Sequence, residues 1–378
     1  MQRGRIVLRI LLINSNPPPL GGAEYHVELL KELLESKGHF ITCFYPYSHY
    51  SESSMTDVKK AFLNLIKTDN FDVAHIHDLE SRFISIIDIL KDNNIKTVLT
   101  LHNYYYLCAS GSFFRDGKIC EECCEGKYYR AAFNGCYSFL HAISRYVRET
   151  VFKGDPYRIK NVSHYISPSL FLANVFKKDG FPQEVTHLYN FLDLKKYQTQ
   201  VKPSSDNPYI LFFGRLAEDK GLMTLLSAVQ GTGIKLYIVG KGGLEKQIQD
   251  RIENESGLSN VELTGFKRGQ ELFDLIGGSL FTIVPSEWWE NLPFTVLESF
   301  ALGKACIASN LGGITEMVTS DRGVLFEAGD HLDLREKIVN LYRDIEKTEI
   351  MGVAGREYVL ENMSPDFYYE RIMDIYSK

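Results

Sequence analysis

Two successive series of short, apolar-rich runs of strand length, most of them followed by a segment of helix length, constrain this 378-residue chain more than any other feature. Residues 6–13, 40–45, 71–77, 97–101 and 162–168 make the first series; residues 209–213, 234–239, 261–266, 280–284, 305–309 and 323–326 make the second. A half-exposed strand alternates apolar with polar residues, whereas a continuous run signals a strand buried on both faces, as in parallel sheets covered by helices. Strand and helix alternating in this way predict a doubly wound α/β architecture. The chain is longer than one hydrophobic core usually serves, so two domains are expected. The boundaries predicted are 1–197 for the first domain and 205–362 for the second, with a polar, proline-containing linker over 195–208. Residues 363–378 carry Phe367, Tyr368, Ile372 and Ile375 at helical spacing and predict a terminal amphipathic helix.

In sheets of this kind ligands bind outside the carboxyl ends of the strands. Five such ends carry chemistry. After the run 280–284 come Pro285-Ser286-Glu287-Trp288-Trp289-Glu290-Asn291-Leu292-Pro293, then a helical pattern holding Phe294, Leu297 and Phe300. Pro293 suits the first helical position, and the N–H groups of the first turn, aided by the helix dipole, suit an anion. Glu290 and Glu298 bracket that turn with seven residues between them. After residue 213 comes Gly214-Arg215, with Lys220-Gly221 closing the loop; Arg offers a bidentate fork for phosphate and Lys a point charge. In the first series, Gly21-Gly22 opens a helix and permits close backbone approach to a pyrophosphate, yet lacks the Gly-x-Gly-x-x-Gly fingerprint of dinucleotide enzymes. His102 ends a strand, and His77, near another strand end, is a second candidate on the acceptor side.

Glu290 and Glu298 after Pro285-Ser286-Glu287, Gly214-Arg215 with Lys220-Gly221, Thr100-Leu101-His102, Gly21-Gly22-Ala23-Glu24 and Gly312-Gly313 occur in one order along the chain. In that order they resemble retaining glycosyltransferase family 4, the glycosyl transferases of group 1. The match departs from the family at Tyr189, Phe191 and Leu192, which replace the proline and Gly-Val of its Pro-Asn-Gly-Val-Asp segment. The resemblance implies the GT-B fold: two facing Rossmann-like domains with a cleft between them, the first for the acceptor and the second for the nucleotide sugar. The terminal helix would cross back to the first domain.

Roles for individual residues also follow from the resemblance. Arg215, Lys220 and the backbone around Asn291, Leu292, Pro293 and Phe294 would hold the departing diphosphate, with Gly21 and Gly22 opposite. Glu298 would bind ribose hydroxyls, Glu290 sugar hydroxyls, and the main chain near Phe266 the base. His102 would stand against the far side of the sugar. The reaction implied is retaining transfer from a nucleotide diphosphate sugar, a UDP-sugar and first of all UDP-glucose. The acceptor implied is a lipid-linked or growing polysaccharide chain, in the synthesis of exopolysaccharide, capsule or envelope glycan. No Asp-x-Asp pair is present, which fits catalysis without a required metal cofactor. Two alternatives stay open: a sugar-nucleotide 2-epimerase of the same shape, and a non-catalytic nucleotide-sugar-binding protein.

Charge and cysteine usage complete the reading. A net charge of −6 gives no support for nucleic-acid binding. Residues 1–200 hold 24 Lys+Arg against 21 Asp+Glu, a net of +3, whereas the remainder holds 18 against 27, a net of −9. Lys127, Arg130, Arg145, Arg148, Lys153, Arg158 and Lys160 form a basic stretch equally compatible with an anionic membrane surface, a phosphate-bearing acceptor or a solvated face. The apolar N-terminal run is too short for the ~20 residues of a spanning helix. A cytoplasmic protein, at most peripheral on the inner face of the membrane, is expected. Cys108, Cys120, Cys123 and Cys136, within an insertion at about 104–136, are spaced compatibly with a structural zinc site, with Cys124 to spare.

Overall fold

The computed structural model describes residues 7–18, 21–49, 55–80, 83–125, 127–136, 138–140, 143, 146–147, 159–181, 183–199, 201–204 and 206–378. It divides into two compact units, Met1–Phe113 with Cys120–Phe191 and Pro365–Lys378, and Phe114–Ile119 with Leu192–Ser364.

The sheet of the first unit begins with β1 (Arg9–Ile13), β2 (Phe40–Phe44), β3 (Val73–Ile76) and β4 (Lys96–Thr100). A two-stranded hairpin, β5 (Phe114–Arg115) and β6 (Lys118–Ile119), comes next in the chain, and β7 (His164–Ser167) and β8 (Val185–His187) finish the sheet. All six sheet strands are parallel, in the order β2-β1-β3-β4-β7-β8. Ile10 to Ile13 are fully buried, as strands covered on both faces require. Leu30 and Leu34 of the helix Gly22–Ser36 and Ile87 and Leu90 of the helix Ser85–Asp92 are likewise fully buried. The helix Leu170–Lys178 starts where Ser169 Oγ accepts the Leu172 N–H at 3.1 Å, a side-chain cap for one of the unpaired first-turn donors.

The helix Pro365–Ser377 belongs to this unit. It buries Tyr368, Ile372, Ile375 and Tyr376 and is tied down through three imidazole–phenol hydrogen bonds. Tyr368 pairs with His26 at 3.1 Å, Tyr369 with His39 at 2.9 Å and Tyr376 with His75 at 2.7 Å.

In the second unit, β9 (Tyr209–Phe213), β10 (Lys235–Val239), β11 (Val261–Gly265), β12 (Phe281–Val284), β13 (Ala305–Ser309) and β14 (Gly323–Phe326) form a parallel sheet in the order β11-β10-β9-β12-β13-β14. One core joins Ile210, Leu236, Ile283 and Ile307 of the strands to Leu225 and Leu226 of the helix Leu222–Val229 and to Ile338 of the helix His331–Arg343. The strand order turns back between β9 and β12. At such a switch point neighbouring connections leave for opposite faces and a crevice opens at the carboxyl ends.

The architecture is the expected doubly wound one, with differences in detail. β8 and the β5–β6 hairpin are too short to show in the apolar pattern. Pro293 is not the first helical residue but the cap before it, with φ −71° and ψ 124°, and the helix runs Phe294–Ala301. The helix expected over 135–151 lies mostly outside the described residues. Among the described residues no helix is long and apolar enough to cross a membrane.

Candidate active site

The two strands flanking the switch point of the second sheet lead directly into the loops that carry Arg215, Lys220 and Glu290. Lys220 Nζ lies 2.5 Å from Glu290 Oε1 and 3.7 Å from Asp219, and Arg215 is paired with the same Asp219 at 2.8 Å. Asp219 therefore joins the two cations, and Lys220 joins them to Glu290. Ser286 Oγ donates to Glu290 Oε1 at 2.8 Å, and the Lys220 ammonium stands 5.0 Å from the centre of the Trp288 ring. Arg215 is 62% exposed in its side chain against 18% for Lys220, so Arg215 is the more open of the two cations. Burial pushes the Glu290 carboxyl up; the Lys220 charge, with hydrogen bonds from Lys220 and Ser286, outweighs it and holds Glu290 below the ordinary carboxylate range.

Two glycines allow the loops to close on each other. Gly221 sits at φ +65°, and a Cβ there would overlap the Pro285 carbonyl oxygen. The Glu287 N–H donates to the Asp219 carbonyl at 2.9 Å across the same junction. Gly312, at φ +62°, leaves no room for a Cβ, which would meet the Glu290 carbonyl oxygen at 2.5 Å. The Gly313 N–H donates to that oxygen at 2.8 Å. The Glu290 backbone is thus fixed by the Gly312-Gly313 turn and its side chain by Lys220.

The helix Phe294–Ala301 begins beside Glu290 with no side-chain cap and no acidic residue in its first turn. Its amino end therefore retains the positive character that favours an anion. Glu298, one turn on, has its Oε1 taken by the Tyr197 hydroxyl at 3.0 Å, and burial pushes its carboxyl up to about 7 against the opposing effect of that bond. Phe266, at the end of β11, is 56% exposed, with the Lys241 ammonium 5.0 Å from its ring centre.

In the first unit, Gly21 is extended and caps the helix Gly22–Ser36 without a side-chain hydrogen bond. His102 Nε2 and His77 Nδ1 are 3.1 Å apart, and the two rings stack. Burial pushes His102 down to about 3, so it is a neutral imidazole across the physiological range, able to hydrogen-bond but not to carry charge. His26 on the neighbouring helix has its ring centre 5.4 Å from both His77 and His102. His75 is held between Thr100 and Tyr376. Asp78, beside His77, accepts from Asn103 Nδ2 at 3.1 Å and is pushed up to about 6 by burial.

The cysteine insertion brings Cys108, Cys120 and Cys136 near Cys123. Among the described residues no group of three or more His, Cys, Asp or Glu side chains is arranged to hold a metal ion. Cys108 lies 3.3 Å from Ser110 Oγ, Cys136 donates to the Asn134 carbonyl at 3.9 Å, and Cys123 packs among Ala109, Tyr128 and Ala131. Cys120 and Cys124 are also free thiols. Burial, with the neighbouring thiols Cys108, Cys136 and Cys120, pushes Cys123 up to about 11. In the basic stretch, Lys127 and Arg130 are neutralised by Glu125 and Glu122; Arg145, Arg148, Lys153 and Arg158 lie outside the described residues.

Sequence reasoning missed Asp219, which joins the two cations, and Tyr197, which holds Glu298. Asp219 had no spacing to mark it. Tyr197 is a lone aromatic in the polar stretch read as a linker, which was the available signal.

Two family models match the chain, Glycosyltransferase Family 4 over residues 20–196 and Glycosyl transferases group 1 over residues 194–358. The chain belongs to this glycosyltransferase family. An uncharacterised glycosyltransferase of Methanocaldococcus jannaschii is 25% identical over 93% of this chain and 93% of its own length. Sucrose-phosphate synthase from Thermosynechococcus elongatus superposes with a TM-score of 0.73 at 18% identity, covering 98% of each chain. The Anabaena protein HepE, solved with UDP, superposes with a TM-score of 0.70 at 17% identity over 98% of this chain and all of its own. These neighbours establish the GT-B fold, with its two Rossmann-like domains.

Proposed function

We propose that this protein is a retaining, metal-independent hexosyltransferase that moves a sugar from a nucleotide diphosphate sugar to a lipid-linked or polysaccharide acceptor. The reading rests on one observation: at the switch point of the second sheet, Arg215, Lys220 and an uncapped helix start face the same turn that presents Glu290. When the bond between the anomeric carbon and the diphosphate breaks, negative charge builds on the leaving phosphate. Two cations and first-turn amides fixed in advance stabilise that charge without reorganising, the largest single contribution in many enzymes. Glu290, ionised and immobilised, accepts hydrogen bonds from sugar hydroxyls, and Glu298 accepts them from ribose. His102, neutral, hydrogen-bonds to the sugar. In the retaining course implied by the family, the acceptor oxygen bonds to the anomeric carbon on the face the phosphate leaves, and the acceptor's proton passes to a phosphate oxygen.

UDP is the favoured nucleotide because the Anabaena neighbour was also solved with UDP-glucose. Synthesis of a surface glycan at the inner face of the membrane is the setting that suits such an acceptor. The test is direct. Labelled UDP-, GDP- and ADP-sugars are incubated with the protein and a membrane lipid and glycan extract, and the product's anomeric configuration is read by NMR. Transfer with retention is expected. Donor hydrolysis alone, conversion of the donor without acceptor, or an inverted product contradicts the reading.

A further inference from the structure

Glu298 carries the proposal. Its Oε1 accepts the Tyr197 hydroxyl, its one hydrogen-bond partner among the described residues, and Oε2 is left for a ligand. Tyr197 is itself 1% exposed and cannot swing away. Its ring lies 4.7 Å from that of Phe273, on the helix Gln270–Gly278. The chain that follows it is bolted to the same helix: Thr199 Oγ1 donates to Asp274 at 2.7 Å, and Gln270 Nε2 donates to the Gln198 carbonyl at 3.2 Å. Gly277 has no Cβ where one would strike Thr199 and the Val201 carbonyl. On its amino side Tyr197 is set by a tight turn, its N–H donating to the Leu194 carbonyl at 3.3 Å, while the Lys195 N–H donates to Asp193 Oδ1 at 3.3 Å. A segment that looks like a linker is therefore a rigid strut ending in one hydroxyl under Glu298.

We infer that Tyr197 is a positioning residue for nucleotide recognition, orienting the Glu298 carboxylate and favouring its ionised form, which accepts both hydroxyls of the ribose. The inference rests on the reading of Glu298 as the ribose carboxylate. The physical need is clear in the balance at Glu298. Burial favours the protonated acid, and a protonated carboxyl presents a donor where two donors arrive. A hydrogen bond donated to the charged form opposes that shift. Among the described residues, the Tyr197 hydroxyl is the group that opposes that shift. Removing the hydroxyl leaves the ring packing on Phe273 intact and takes away only the donor.

The test measures binding of UDP, GDP and ADP, each with its 2′,3′-dideoxy counterpart, by calorimetry between pH 6 and 9. It uses the full chain and its Tyr197→Phe and Glu298→Gln variants. The parent protein is expected to prefer the ribonucleotide at least tenfold, the scale of one or two hydrogen bonds to a charged group. Tyr197→Phe should lose about tenfold in ribonucleotide affinity at pH 7, bind the dideoxy compound as the parent does, and recover towards parental affinity as the pH rises to 9. The recovery follows because deprotonation of Glu298 becomes favourable without help. An equal loss for both nucleotides at every pH would mark a merely structural role and overturn the inference, as would parental behaviour of the variant. If the parent itself does not discriminate ribose, or Glu298→Gln leaves the preference intact, the underlying reading of Glu298 falls and the inference with it.

Discussion

Replacing Lys220 with alanine separates what the ion pair does for the fold from what it does for the reaction. Lys220 and Glu290 are 18% and 9% exposed in their side chains and 2.5 Å apart. Removing one partner of such a pair leaves a recessed carboxylate that still accepts from Ser286 Oγ. Breaking a fully buried pair costs about 3–5 kcal/mol, and partial solvent access reduces that to about 2 kcal/mol here. For a unit of this size that is a fall of roughly 4–8 °C in Tm. The cost carries a pH signature. In the parent the Glu290 pKa is depressed on folding, so the pair stabilises above the unfolded carboxylate pKa and the stabilisation is lost as the pH falls through the folded one. In Lys220→Ala the folded pKa is expected above the unfolded one, so the deficit grows with pH and is larger at pH 8 than at pH 5. Adding Glu290→Gln to Lys220→Ala removes the unpaired charge and should restore most of the Tm. Transfer should not return, because the cation facing the leaving phosphate is still missing, a loss of about 100-fold in turnover. Scanning calorimetry at both pH values, with donor consumption followed by chromatography, checks each part. A Tm deficit independent of pH, or turnover restored in the double variant, would refute the reasoning.

Other perturbations follow from the same geometry. Gly221→Ala, at φ +65° with its Cβ against the Pro285 carbonyl, should cost about 2 kcal/mol and weaken nucleotide binding, as thermal melts with and without UDP would show. Glu298→Gln should flatten nucleotide affinity between pH 6 and 8, where the parent strengthens as the carboxyl, at about 7, loses its proton. His102→Ala should lower turnover while leaving the shape of the pH–rate profile unchanged, since that imidazole stays neutral over the assayed range.

The strands at 209–213, 305–309 and 323–326 were legible to the residue because each is a short, predominantly apolar run set between polar or turn-forming residues. The parallel, helix-covered sheets followed from those runs, and so did the position of the Arg215–Lys220 and Glu290 loops at strand ends. What escaped was every pairing between side chains distant along the chain. Tyr197 and Glu298 are 101 residues apart, and His26 and Tyr368 are 342 apart. No local periodicity records such a contact, and an isolated aromatic in a polar stretch reads as linker until its partner is placed. The grouping of Cys108, Cys120 and Cys136 around Cys123 was legible, because one short insertion carries all four.

The claim that Arg215, Lys220 and the helix start grip a diphosphate is tested most directly by the ratio of UMP to UDP dissociation constants in the parent and in Lys220→Ala. If Lys220 meets the terminal phosphate, the parent binds UDP at least tenfold more tightly than UMP and the ratio collapses towards one in the variant. The same ratio in both proteins would mean that Lys220 does not meet that phosphate, and the account of the site would be wrong.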